Sequence, residues 1–96
     1  MGADFNLSSA VQLLQKARNL SQAKDRKINV RLALAEVKDA RELLDPVDLH
    51  IEDALPSLKR AEQVLKELSR NGNLNKIDRA IDLLRSTQES MVSRDV

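Results

Sequence analysis

Two clusters of ionisable residues are where this chain could do chemistry. The first surrounds His50, the single histidine, which stands among Asp45, Asp48, Glu52 and Asp53. On a helix, His50 and Asp53 are three apart and could face one ion. Metal sites usually take three or four convergent ligands, and the Glu-x-x-His pairs of di-iron bundles are absent. The expected state is a solvated acidic segment with a surface histidine, and no metal or cofactor is assigned.

The second cluster is Lys24, Arg26, Lys27 and Arg31, set against Asp25, which concentrates three net positive charges within eight residues. It falls at the expected start of a helix, where the helix dipole disfavours cations and favours anions. A placement that costs a little locally points to a use elsewhere, either a phosphate ligand or an acidic protein surface. Nucleic-acid sites carry more net charge, often interleaved with glycine or aromatic residues, so nucleic acid is the less favoured partner.

Catalytic machinery is missing from the pattern. The chain has no cysteine, its serines are scattered without a nearby second base, and its only glycines, Gly2 and Gly72, cannot build a phosphate loop. Acidic pairs such as Glu52/Asp53 have nothing to mark them as lining a cleft. The expectation is a non-enzymatic protein with no small-molecule substrate.

The elements that must position these clusters follow from composition. Ninety-six residues suit one domain, 1–96, with frayed ends at 1–5 and 93–96. The chain is 42% apolar, yet its only aromatic is Phe5, so the core must be aliphatic, and alanine and leucine favour helix over strand. Sixteen basic against fifteen acidic side chains leave a charge of +1, which gives no general pull toward nucleic acid or acidic membranes. The absence of cysteine fits a reducing compartment. No run reaches the ~18 apolar residues of a membrane span, no signal-peptide core opens the chain, and Asn6 breaks the myristoylation pattern. A soluble, cytoplasmic protein is expected.

Apolar residues recur at steps of three and four in four segments. They predict an all-α fold, a small antiparallel up-down four-helix bundle with helices at about 7–22, 25–44, 48–70 (kinked at Pro56) and 74–92. Asp25 is the expected cap of the second helix, and Asn71 with Gly72 the clearest stop of the third. Phe5 is expected to plug one end of the core. A motif of large, alanine, large at three-residue steps appears in every segment: Leu14-Ala17-Leu20, Val37-Ala40-Leu43, Leu58-Ala61-Val64 and Ile77-Ala80-Leu83. Small residues at matching depth would let the backbones approach at the waist of the bundle.

The second helix is the best patterned. Val30, Ala33, Leu34, Val37, Ala40 and Leu44 form its core stripe, and Ile28, Leu32 and Ala35 widen it beyond what one neighbour needs. The expected function is protein–protein interaction or self-association through this helix. The interaction residues are Lys24, Arg26, Lys27, Arg31, Ile28, Leu32 and Ala35. The acidic residues Asp45, Asp48, Glu52 and Asp53 are a counterpart to the basic start, roughly 30 Å away along a helix. They would meet it in an antiparallel homodimer. Nucleic-acid or phosphate binding at the basic start is the alternative.

Overall fold

The computed structural model describes residues 2–44, 54–71 and 74–92, and they form four helices. These are α1 (Ala3–Arg18), α2 (Ala23–Leu44), α3 (Ala54–Asn71) and α4 (Ile77–Val92), the last preceded by a short 3-10 turn at Leu74–Lys76. The expected all-α four-helix bundle is what the chain forms. His50 and the acidic residues Asp45, Asp48, Glu52 and Asp53 lie outside the described residues, as does Gly72.

Side-chain ties fix the up-down order. Arg18, at the end of α1, pairs with Asp78 at the start of α4, while Gln88 near the end of α4 donates to Asp4 and Ser8 at the start of α1. Gly2 lies against the Leu43 side chain, setting the start of α1 beside the end of α2. Arg41 near the end of α2 pairs with Glu62 in the first half of α3, and Glu67 late in α3 pairs with Lys76 just before α4. Each helix therefore runs opposite to its neighbours.

The core is aliphatic. Leu7, Leu14, Val30, Val37, Leu58, Leu65, Leu68, Ile77 and Leu84 are fully buried within it. Each such side chain contributes about 1.5–3 kcal/mol on leaving water, and the nine, drawn from four helices, belong to one core cluster.

The helix boundaries differ from the sequence-based ones in instructive ways. The first helix begins at Ala3 rather than residue 7, so Ala3, Asp4 and Phe5 form its first turn. Gly2 adopts a positive φ of 71° at the cap, a conformation that costs glycine little, and its carbonyl accepts the Asn6 amide at 3.0 Å. With that start, Leu7, Ala10, Val11, Leu14 and Ala17 face inward. Phe5 is two residues before Leu7, about 200° of rotation away, and it is 67% exposed rather than a core plug. The helix ends at Arg18 rather than residue 22, with the Asn19 and Leu20 amides turning back to the Lys16 and Ala17 carbonyls.

Helix α2 starts two residues early, at Ala23, because the Gln22 carbonyl accepts the amides of both Asp25 and Arg26 at 3.1 Å. Asp25 is therefore not the cap. It stands in the first turn, where a carboxylate still complements the positive end of the dipole. Pro56 occupies the first turn of α3 as described, where its missing N–H has no partner to lose. The expected residues 48–53 of that helix lie outside the described ones.

All four motif alanines, Ala17, Ala40, Ala61 and Ala80, are fully buried. They do not share one waist. Arg18–Asp78 sets Ala17 and Ala80 toward one end, and Arg41–Glu62 sets Ala40 and Ala61 toward the other. The small residues thus permit close approach in two separate layers.

Candidate interaction surface

Ile28, Leu32 and Ala35 recur at steps of four and three, and so line one stripe of α2. Ile28 and Leu32 lie about 200° of rotation from the buried Val30, so they face away from the core. Ile28 is 48% exposed and Leu32 51%, and Ala35 is exposed beside them. Leu43, one turn beyond the exposed Asp39, is a separate apolar side chain near the other end of α2 at 55% exposure. The width of the sequence pattern thus reflects two faces, one buried in the bundle and one open.

Charge on the flanks of this stripe is sorted by side. Lys24, Lys27, Arg31 and Lys38 fall within about 60° of one another around the helix on one flank. Glu36 lies on the other flank with Asp25 at its edge, Asp39 falls within the stripe between the angles of Ile28 and Leu32, and Glu42 falls among the bases. Among these residues Lys27 and Glu36 are half-buried and the rest are exposed.

The basic cluster read from the sequence is brought together only in part. Lys24, Lys27 and Arg31 share that flank. Arg26 points elsewhere, is half-buried, and its Nη1 donates to the Leu20 carbonyl at 2.9 Å. That bond satisfies a carbonyl just past the end of α1 and ties the α1–α2 turn. The acidic counterpart lies outside the described residues.

A second group of charges escaped the sequence reading. Arg41 from α2 and Lys59, Arg60, Glu62, Gln63 and Lys66 from α3 line an open groove of about 410 Å³ between the two helices. Glu62 is only 6% exposed, held between Arg41, whose Nε stands 2.8 Å from Oε2, and Lys66 at 3.9 Å. Arg41 Nη2 donates to Glu62 Oε1 at 3.4 Å. The Nε–H itself is not aimed at the carboxylate, so the buried Nε lacks a hydrogen-bond acceptor and the closer contact is Coulombic. In sequence, Lys59 and Arg60 are diluted by Glu62 and Glu67, and Arg41 lies eighteen residues away. Only the helix period, which aligns Lys59, Gln63 and Lys66, could have marked the α3 half.

Among the described residues, no group of three or more His, Asp or Glu side chains could hold a metal ion, and no helix is long and apolar enough to cross a membrane. No protein-family model, curated protein or solved structure matches the chain.

Proposed function

We propose that the protein is a non-enzymatic self-association module and that the outer face of α2 is its docking surface. The observation that carries this reading is the exposure of Ile28 and Leu32, with Ala35, as an apolar stripe on the side of α2 turned away from the core. Large apolar side chains grouped on one outer face lose stabilisation to water that a partner surface would return.

The sorting of charge supports a second copy of the chain as that partner. Two parallel α2 helices related by a two-fold axis along the stripe bring the basic flank of one against the acidic flank of the other. Arg31 of one copy then faces Glu36 of the next, a spacing of five, as in parallel coiled coils. An antiparallel pair sets like flanks side by side, and its attraction must come from the acidic segment at 45–53. The Arg31–Glu36 contact favours the parallel pairing, although the same register sets Asp39 against Asp39 of the second copy at the end of the stripe.

The buried stripe is short, so the association is weak and concentration-dependent. Sedimentation from roughly 1 µM to roughly 500 µM is expected to show monomer passing to dimer. The Ile28→Glu/Leu32→Glu variant is expected to stay monomeric with an unchanged helical spectrum. The chain has no native cysteine. Single Ile28→Cys and Ala35→Cys variants can therefore report orientation, and a parallel pair cross-links at both positions on oxidation. An antiparallel pair can join like positions only near its centre. A wild-type protein that remains monomeric throughout the concentration series would overturn the reading.

A further inference from the structure

We infer that the groove between α2 and α3 is a binding site for a small oligophosphate anion, independent of the α2 outer face. Its described lining holds four cations, Arg41, Lys59, Arg60 and Lys66, and one carboxylate, Glu62. That is a local charge of +3 in a chain whose total is +1. Positive charge that is balanced elsewhere on the molecule is concentrated here.

The single carboxylate does not neutralise the groove toward solvent. Glu62 is buried and already engaged by Arg41 and Lys66, whose side chains keep 34% and 43% of their surface open. It acts as an internal counterion that holds the Arg41 guanidinium in place, which leaves its outer N–H groups set for an incoming acceptor. Lys59 and Arg60, both exposed, make no ion pair among the described residues, and Gln63 adds an amide donor on the same side of α3.

The donor set selects among anions. A guanidinium fork matches two oxygens of one phosphate, and lysines act as point charges that suit its neighbours along an oligophosphate chain. The groove, about 410 Å³ and open to solvent, leaves room for more than a single phosphate along the two helices. Two or three linked phosphates span cations contributed by two helices better than one phosphate does. The basic flank of α2 differs here, because Lys24, Lys27 and Arg31 lie along one convex helix and do not converge.

Inorganic tripolyphosphate is the probe, with citrate as a carboxylate comparison, titrated into the full chain and followed by amide shifts and calorimetry. Saturable shifts are expected at Arg41, Lys59, Arg60, Gln63 and Lys66, with citrate at least tenfold weaker. The Lys59→Gln/Arg60→Gln variant changes only exposed side chains and is expected to weaken tripolyphosphate at least tenfold with its helical spectrum intact. Equal binding of citrate, shifts spread evenly over Lys24, Lys27 and Arg31, or undiminished affinity in the double variant would each overturn the proposal. The Ile28→Glu/Leu32→Glu variant should bind tripolyphosphate as the parent does, so this site and the docking face can fail separately.

Discussion

The outer faces of α2 and of α3 and α4 are built to opposite rules. On α3 the exposed positions include Lys59, Arg60, Gln63, Glu67 and Arg70, and on α4 they include Asp78, Arg79, Asp82, Arg85 and Glu89. Every large apolar side chain described on those two helices is buried or half-buried. Helix α2 instead carries Ile28, Leu32 and Leu43, three of the four exposed large apolar residues described in the chain. Solubility of a small bundle asks for the first pattern, and the second is what an association surface looks like before its partner arrives. The difference teaches that α2 has an apolar face left exposed among the described residues.

The largest effect that tests this contrast is a pair of truncations. Leu65→Ala removes a fully buried side chain of α3 and is expected to destabilise the monomer by about 2–5 kcal/mol. Leu32→Ala removes the same atoms from the outer face of α2 and is expected to change monomer stability by less than about 0.5 kcal/mol. Chemical denaturation at a dilution where the chain is monomeric measures both. A Leu32→Ala cost approaching that of Leu65→Ala would break the comparison, because the stripe would then belong to the fold.

Charge reversal sharpens it further. In the parallel pairing Arg31 meets Glu36 of the other copy. Arg31→Glu is therefore expected to weaken dimerisation several-fold, and the Arg31→Glu/Glu36→Arg exchange to restore most of it. Each such exposed pair is worth only about 0.2–1 kcal/mol, so sedimentation must be read at low salt. Reversing Arg85 on α4 is the control and should leave the mass unchanged.

Much of the contrast was legible in the sequence, and its limits have physical causes. The period of the apolar residues gave the four helices, because burial imposes one repeat on whatever packs inward. Ile28, Leu32 and Ala35 stood out because they exceeded the width that one buried stripe requires. The helix starts were less legible. Gln22 and Gly2 cap through backbone carbonyls, which any residue type supplies, so no side-chain signature marks them. Phe5 misled because its type suggests burial, whereas the register set by Leu7 and Ala10 decides its direction. The Arg41–Glu62 pair was invisible because its members meet only once α2 and α3 are antiparallel.

That pair yields a smaller effect on the monomer. Arg41→Ala leaves the nearly buried Glu62 with Lys66 alone, at 3.9 Å. A carboxylate stripped of its main counterion is costly, but Arg41 is itself a third exposed and water can enter its place. The expected loss is about 1–3 kcal/mol by denaturation. The size of that loss separates the support of α3 from the open face of α2, since neither Ile28 nor Leu32 is among the residues that line the groove.

The smallest expected effect comes from a mirror-image departure on α4. Where α2 exposes apolar side chains, α4 buries a polar one: Thr87 is fully buried, as deep as the leucines around it. A buried hydroxyl without a partner would cost about 1–3 kcal/mol, but Thr87 Oγ1 donates to the Leu83 carbonyl one turn back at 2.9 Å. That carbonyl also accepts the backbone amide of the same turn, so Thr87→Val keeps the shape and orphans no donor or acceptor. Its stability change is expected to lie within about 1 kcal/mol, with dimerisation unaffected. Both helices break the simple rule of apolar inside and polar outside, yet only one departure closes within its own turn. The hydroxyl on α4 finds its acceptor four residues away, whereas the stripe on α2 is left exposed among the described residues. A Thr87→Val variant that lost several kcal/mol would show that α4, too, depends on contacts beyond its own turn, and the distinction between the two helices would narrow.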